Sequence, residues 1–200
     1  MSGNVVSGEG WADWKRDYRY GALVIEPPQE LAAVLDPIRE QWDPVSAQMV
    51  GAHITITPPF REAPTAVDEA RVATCIRRLP SMRLQLGKPR RFDGSSVVYL
   101  PVANADAILA LRGALLDTGL FRLDMPHTSD FIPHLTISEF GARPEAALRT
   151  VIPMVGETPF DATTVSWVVP NDRFQFAVHR TFALRIPGFG HRSSAGRNRG

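Results

Sequence analysis

Segments with two different spacings of apolar residues alternate along this chain. Stretches with apolar or β-branched residues on a period of two predict strands, and stretches with apolar residues three or four apart predict helices. The predicted strands are 19–26, 48–57, 81–88, 95–102, 132–138, 163–169 and 173–186. The predicted helices are 27–42, 66–79, 104–119 and 143–151. This mixed order predicts an α/β or α+β fold with helices packed outside the sheets.

Three local features refine this pattern. Pro37 lies inside the first helix, so we expect either a kink there or a division of the helix into two pieces. Asp93 and Gly94 are turn residues, and they predict a turn between the third and fourth strands. Asn104 is placed to cap the third helix.

The ends of the chain differ in composition from its middle. We expect one domain over 18–187, preceded by an N-terminal extension, 1–17, and followed by a disordered tail, 188–200, of mostly glycine, serine and arginine. The extension contains Trp11 and Trp14, which indicate that it docks on the domain.

Charge and composition narrow the classes of function. The 22 basic and 21 acidic residues give a net charge of +1, so the global charge does not indicate a nucleic-acid-binding protein. The net charge does not exclude a local basic groove. No run approaches the ~20 apolar residues that span a bilayer, and the N-terminus has no secretory pattern. The single cysteine, Cys75, cannot form an internal disulfide. We therefore expect a cytoplasmic protein, and we expect a monomer.

A short histidine pattern occurs once in each half of the chain. Residues 53–57 read H-I-T-I-T, and residues 134–138 read H-L-T-I-S. Because side chains on a strand alternate between faces, each strand presents an imidazole and two hydroxyls on one side and apolar residues on the other. The residues that share the polar face are His53, Thr55 and Thr57 in the first strand, and His134, Thr136 and Ser138 in the second.

One such strand alone is usually explained by a surface or structural histidine. A polar face is unfavourable inside a core, but two such faces are favourable if they meet across a water-filled cleft. Two imidazoles can then give and take protons near neutral pH, while hydroxyls hold anionic oxygens without adding charge. This combination suits attack on a phosphodiester. No cofactor is needed for it, and the sequence has no histidine, cysteine and aspartate cluster at metal-ligand spacing.

The contexts HITITPPF and FIPHLTISEF resemble those of the 2H phosphoesterase superfamily, in particular its 2'-5' RNA ligase-like and RNA 2',3'-cyclic phosphodiesterase branch. The resemblance covers roughly residues 18–187. It implies an α+β, bilobal, pseudo-symmetric fold, with two antiparallel sheets, helices outside and a central cleft. It also implies that His53 and His134 are the acid–base pair and that Thr55 and Thr136 hold phosphate oxygens.

The same resemblance implies an enzyme that opens cyclic phosphate ends of RNA or small cyclic nucleotides to 2'-phosphates without a metal, and some relatives make or break 2'-5' RNA linkages. His53 is favoured as the acid and His134 as the base, but the near symmetry leaves this assignment open. A non-catalytic module that binds phosphate or nucleotide on the same fold is the alternative. The candidate substrate contacts are Phe60, Arg61, Arg91 and Phe131, together with Arg90, Arg173 and Phe92.

Overall fold

The structure is a computed structural model that describes residues 11–126, 128–154 and 159–186. Its helices are α1 (Asp13–Arg16), α2 (Gln29–Trp42), α3 (Pro44–Met49), α4 (Ala66–Arg77), α5 (Asp106–Leu116) and α6 (Pro144–Met154). Its strands are β1 (Ala22–Ile25), β2 (Ile54–Thr55), β3 (Met82–Gln85), β4 (Arg90–Arg91), β5 (Val98–Pro101), β6 (His134–Ser138), β7 (Pro159–Ala162), β8 (Thr164–Pro170) and β9 (Phe176–Ala183).

The strands form two antiparallel sheets within the described residues. The larger has seven strands in the order β4-β5-β6-β2-β1-β8-β9, and the smaller pairs β3 with β7. This confirms the predicted α+β class with two antiparallel sheets and accompanying helices. The larger sheet brings the two halves of the chain together at its centre, where β2 meets β6 in a single residue pair, Ile54 opposite Leu135.

The apolar residues of the two histidine strands belong to the core, as their alternation predicts. Ile54, Leu135 and Ile137 are fully buried, in one cluster with the inward residues of α4 and α5. Helix α4 begins at a capping box in which Thr65 and Asp68 bond to each other's backbone N–H groups. The core thus anchors the apolar face of each histidine strand and leaves its other face available.

The segment before the first histidine strand differs from the prediction. Pro37 lies inside one continuous helix, α2, and residues predicted to begin a strand at 48 instead end the short helix α3. Asp43 caps α3 by accepting a hydrogen bond from the Ser46 N–H at 3.0 Å, and Pro44 occupies its first position. The prediction of a strand from 48 was therefore wrong, because the cap at Asp43 stabilises a helix that extends to Met49.

The middle of the chain contains strands and pairings beyond those predicted. Strand β3 pairs with β7, and the predicted turn at Asp93 and Gly94 lies between β3 and β5, where it joins the short strand β4 to β5. Asn104 does not cap α5. Its side chain instead accepts from the Gln85 N–H at 2.9 Å and donates to the Arg83 carbonyl, so the cap position falls to Ala105. Neither β4 nor β7 was predicted.

The N-terminal segment packs on the body from Trp11 onward. The Trp11 side chain is 8% exposed, donates to the Asp172 carbonyl at 2.8 Å and contacts Phe174 edge-on. Strand β1 begins later than predicted because Gly21 has a φ of +74°, and a Cβ there would lie 1.9 Å from the Val168 carbonyl oxygen. The expected tail, 188–200, lies outside the described residues. None of the described helices is long and apolar enough to cross a membrane.

Candidate active site

The pairing of β2 with β6 sets the two histidine motifs side by side. The strands are antiparallel with Ile54 opposite Leu135. Extended by one residue on each side, this register places His53 opposite Thr136 and Thr55 opposite His134. Side chains directly opposite each other on one face have Cβ atoms roughly 5 Å apart. Each imidazole therefore stands beside the threonine of the other motif.

The polar face of each motif ends at its threonine, because each strand is irregular just beyond it. After Thr55, the N–H groups of Ile56 and Thr57 both donate to the Leu23 carbonyl, at 2.8 and 3.3 Å. This arrangement is a bulge, and it turns the Thr57 side chain inward, where it is fully buried and accepts from the Leu23 N–H at 3.1 Å. Thr57 does not share the polar face with His53, so that prediction was wrong.

The second motif shows the same deviation. The register between β5 and β6 shifts between Val98, which pairs with Ser138, and Tyr99, which pairs with Thr136. Ser138 is 1% exposed, and its hydroxyl finds no hydrogen-bond partner among the described residues. The predicted face of imidazole and two hydroxyls is thus reduced to one imidazole and one hydroxyl in both motifs.

Both imidazoles are held by the same local hydrogen bond. His53 Nδ1 lies 2.8 Å from the Gly51 carbonyl oxygen, and His134 Nδ1 lies 2.6 Å from the Ile132 carbonyl oxygen. A carbonyl oxygen only accepts, so Nδ1 carries the hydrogen in each ring. The Nε2 atom of each neutral imidazole is then an acceptor that can take a proton from a ligand.

The surroundings of the two rings lower their affinity for protons. Burial, together with the smaller influence of the charges on Arg39 and His134, lowers the pKa of His53 to about 4, and the hydrogen bond to Gly51 and the charge on Asp36 act in the opposite direction. Burial also lowers the pKa of His134, against its hydrogen bond to Ile132. Both imidazoles are therefore mainly neutral at pH 7, and the charge on one disfavours a charge on the other.

A buried arginine joins the backbones of the two motifs. Arg39 of α2 is 2% exposed, and it donates through Nε to the Thr136 carbonyl at 3.0 Å and through Nη1 to the Val50 carbonyl at 2.7 Å. Asp36 completes the link, since its Oδ1 accepts from Arg39 Nη1 at 3.3 Å and from the Ala52 N–H at 2.7 Å. One ion pair on α2 thus ties the segment leading into the first motif to the middle of the second.

Asp43 makes a second connection to β6. Besides capping α3, it accepts through Oδ2 from the backbone N–H groups of Glu139 at 2.7 Å and Phe140 at 2.8 Å. Burial acts to raise the pKa of Asp43, but these backbone hydrogen bonds hold it below its ordinary value. Neither Asp36, Arg39 nor Asp43 was identified from the sequence. The spacing of Asp36 and Arg39 by three residues on a helix was the available signal.

Aromatic side chains border His134 on the β5 side. The Phe92 and Tyr99 rings stack, with centroids 4.0 Å apart and planes at 18°. Each presents an edge-on contact to the His134 ring, at 5.2 Å for Phe92 and 5.3 Å for Tyr99. Tyr99 is buried and Phe92 is half-buried. An aromatic surface therefore adjoins the second imidazole.

The two phenylalanines proposed as substrate contacts are covered to different degrees. Phe60 is 2% exposed and packs in the core, with ring centroids 4.5 Å from Phe121 and 5.1 Å from Trp167. This burial rules out base stacking on Phe60, so that prediction was wrong. Phe131 is half-buried, and the Arg112 guanidinium lies 4.0 Å above its ring.

The two favoured arginines also lie in defined surroundings. Arg61 lines an open depression of about 540 Å³ with Arg122, Leu123 and Asp124, a lining that includes neither histidine motif. Arg91 forms a salt bridge of 2.5 Å with Glu145 of α6. Of the remaining candidates, Phe92 adjoins His134, Arg90 shares a depression with Phe92, and Arg173 follows Asn171 in the loop between β8 and β9.

The assembled groups are of the types that can bind an anion and transfer protons. Among the described residues, the hydroxyls of Thr55 and Thr136 make no hydrogen bond, so they remain available to a ligand. The same part of the chain holds no group of three histidine, cysteine or acidic side chains that come together. Two neutral imidazoles and two hydroxyls without a partner among the described residues therefore stand together on adjacent strands, one of each from either motif.

Comparison with known proteins agrees with this architecture. A sequence profile of the 2'-5' RNA ligase superfamily matches residues 27–190. The chain therefore belongs to the 2'-5' RNA ligase superfamily, whose members are 2H phosphoesterases. No curated protein matched the chain in a sequence search.

Solved structures share the fold at low sequence identity. Escherichia coli LigT, in complex with 3'-AMP, is 20% identical, with a TM-score of 0.54 over 82% of this chain and 96% of LigT. The protein TT0787 of Thermus thermophilus is 17% identical, with a TM-score of 0.55 over 83% and 98% of the two chains. A protein solved as a phosphoesterase is 19% identical, with a TM-score of 0.53 over 82% of this chain and 97% of that protein. These likenesses show the fold.

Proposed function

We propose that this protein is a metal-independent phosphodiesterase that opens the 2',3'-cyclic phosphate at an RNA or nucleotide end to a 2'-phosphate. The observation that carries the proposal is the antiparallel register of Ile54 with Leu135, which sets the imidazole and hydroxyl of each motif beside those of the other. Support also comes from the shared fold of LigT, which was solved with 3'-AMP bound.

In the proposed reaction, the cyclic phosphate lies between His53 and His134. One neutral imidazole accepts a proton at Nε2 from water as the water oxygen bonds to phosphorus. The P–O3' bond breaks, and the other imidazole, protonated at Nε2, donates that proton to the departing O3'. The product is a 2'-phosphate with a free 3'-hydroxyl. A ribose 5'-hydroxyl in place of water forms a 2'-5' linkage by the same exchange.

The remaining groups stabilise the charge that develops on phosphorus. The hydroxyls of Thr55 and Thr136 donate to the two non-bridging oxygens, where negative charge is greatest in the transition state. The bound anion raises the pKa of the adjacent imidazoles, which offsets their burial and allows one of them to carry the required proton. Their mutual repulsion keeps the second ring neutral and thus able to act as the base.

The direct test is turnover of a nucleoside 2',3'-cyclic phosphate in the presence of EDTA. His53→Ala and His134→Ala should each reduce the rate by roughly 100-fold to 10,000-fold, the usual contribution of a general acid or base. His179→Ala is the control, because His179 lies in β9 against Trp167 and outside the paired motifs. Full turnover in either of the first two variants would falsify the assigned pair.

The same assay separates the enzyme from a binding module. Calorimetry with 2'-AMP measures binding independently of turnover. A wild-type protein that binds 2'-AMP but leaves every cyclic phosphate intact, with and without EDTA, would be a phosphate-binding module on the same fold, and the proposed activity would be abandoned.

A further inference from the structure

A row of two side chains, Tyr99 and Arg90, extends the sheet from the second motif toward β4. Tyr99 of β5 is paired with Thr136 of β6, and Arg90 of β4 is paired with Tyr99. Directly paired residues in an antiparallel sheet point to the same face. The edge-on contact of Tyr99 with His134 agrees with this assignment. Arg90 therefore stands on the side of the sheet that carries the imidazoles.

The space along this row has the size of a ligand subsite. A depression of about 510 Å³ is lined by Arg90, Arg91, Phe92, Asp93, Tyr99 and Ile132, within the range of volumes that hold small ligands. The Phe92 ring stacks on Tyr99 with one face, and it lies nearly perpendicular to the His134 ring, with which it is in contact. A flat ring with remaining accessible surface beside the proposed phosphate site suits the base of the reacting nucleoside.

The two neighbouring arginines of β4 differ in their pairing. Arg91 is neutralised by Glu145 of α6, at 2.5 Å. Arg90 is exposed and has no carboxylate within ion-pair distance in the part of the chain that the structure describes. Asp93 lines the same depression without forming a salt bridge to Arg90. The free positive charge in this depression therefore belongs to Arg90.

The distance from the motifs decides which phosphate Arg90 can hold. Adjacent strands lie 4.7–4.9 Å apart, so β4 is roughly 10 Å from β6. The phosphate between the two threonines already has four partners on β2 and β6. A phosphate one nucleotide further along the chain falls nearer to Arg90. In an RNA end this is the phosphate on the 5' side of the terminal nucleoside.

We propose that Arg90 binds the phosphate on the 5' side of the terminal nucleoside while the base of that nucleoside stacks on Phe92, so that the protein selects polynucleotide ends over nucleoside cyclic phosphates. This inference rests on the proposed function, which it deepens by naming the preferred substrate. A guanidinium donates to phosphate in a planar fork, and such charge-assisted hydrogen bonds are among the stronger ones.

The test compares a nucleoside 2',3'-cyclic phosphate with a dinucleotide that ends in the same group. Wild type should favour the dinucleotide by roughly 10-fold in kcat/KM, mainly through KM, as expected for one exposed charge-assisted contact. Arg90→Ala should reduce this ratio to about 1, and Arg90→Lys should restore part of it. The ratio should decrease with salt in wild type but not in Arg90→Ala.

Two further variants separate the subsite from general effects. Arg91→Ala removes the neighbouring guanidinium, which is already paired, and should keep the wild-type ratio. Phe92→Ala should lower kcat/KM for both substrates in proportion, because both present the terminal base. A wild-type ratio near 1, an equal loss for both substrates in Arg90→Ala, or the same loss of ratio in Arg91→Ala would overturn the proposal.

Failure of this proposal can be told apart from failure of the proposed function. Turnover of the nucleoside substrate with no dinucleotide preference contradicts the Arg90 subsite alone. If neither substrate is turned over, binding of a 2'-phosphorylated dinucleotide and of the matching 2'-nucleotide is measured by calorimetry. A roughly 10-fold preference for the dinucleotide that is lost in Arg90→Ala supports the subsite even then, and equal affinities refute it.

Discussion

The two histidine motifs are alike in their own residues and different in what surrounds them. In both, the imidazole Nδ1 donates to the carbonyl two residues earlier, and a bulge ends the polar face after the threonine. His53, however, lies within the field of the buried cation Arg39, whereas His134 borders the rings of Phe92 and Tyr99. The two motifs thus present the same side chains, an imidazole and a hydroxyl, in unequal environments.

This difference has a consequence for chemistry. A symmetric pair of imidazoles could serve either role in proton transfer, because both expose the same nitrogen. The surroundings differ in that the charge on Arg39 lowers the pKa of His53 in addition to burial, while burial is the cause that lowers the pKa of His134. Among the described residues, stacked aromatic rings contact His134 and not His53.

The largest expected effect is a change in rate that tells which histidine is the general acid and which is the general base. A cyclic substrate with sulfur in place of the 3' oxygen has a leaving group that departs without a proton. On it, the variant lacking the general acid should recover roughly 100-fold or more of its lost rate, while the variant lacking the base stays inactive. Rates of His53→Ala and His134→Ala on both substrates identify the acid. Recovery in both variants or in neither would contradict separate roles.

The next effect tests whether the polar face ends at the threonine. Thr55→Val and Thr136→Val should each lower kcat by about 100-fold, since a lost donor to a charged transition-state oxygen has this magnitude. Thr57→Val is the matched control, because its buried hydroxyl serves the Leu23 N–H. It should keep kcat and lose about 1 kcal/mol of unfolding free energy. A large kcat loss in Thr57→Val would place that residue back in the site.

A smaller effect on rate, with a clear effect on stability, is expected at Arg39. Arg39→Met leaves the Thr136 and Val50 carbonyls without their donor, so unfolding free energy should fall by about 2–4 kcal/mol in urea. It also removes a positive charge near His53, whose pKa should rise in an NMR titration.

Arg39→Lys provides the control for the previous variant. It keeps the charge but not the planar fork, so it should return the pKa of His53 toward the wild-type value while stability stays low. An unchanged His53 titration in Arg39→Met would show that the two motifs do not differ electrostatically in the way described.

The smallest effect is the pH dependence of stability. The pKa of His53 is about 4 in the folded protein against an ordinary 6.5, so the unfolded chain binds the proton first. Stability is therefore lost as pH falls from about 6.5 to about 4, with the same sign from His134. His53→Asn should flatten part of this slope in denaturation experiments at several pH values. An unaltered slope would contradict the low pKa.

The sequence predicted the broad architecture well because strands and helices follow local periodicity. The helix predicted over 66–79 is present over Ala66–Arg77, the strand predicted over 132–138 is present over His134–Ser138, and the apolar alternation placed Ile54 and Leu135 in the core. The prediction placed one hydroxyl too many on the polar face of each motif, because Thr57 and Ser138 are buried. Bulges depend on the hydrogen bonds of a neighbouring strand, and the alternation within one segment carries no information on them.

The choice between aromatic candidates shows the same limit. Phe60 closely follows the first motif in sequence, yet its ring is buried against Phe121 and Trp167. Phe92 lies far from both motifs in sequence, between β4 and β5, yet its ring contacts His134. Nearness in sequence to a motif did not indicate an accessible ring. Pairing of β5 with β6 brought Phe92 there.

By itself, the sequence identified the residues to which the proposed chemistry is assigned and showed that each motif has one apolar and one polar face, because side-chain alternation along an extended chain is a local property. Only the tertiary structure decided that Ile54 pairs with Leu135, that Arg39 links the two motifs, and that Arg90 stands on the same face without a salt bridge among the described residues. These contacts join residues far apart in the chain. Their geometry is set by packing of the whole core, which no single segment encodes.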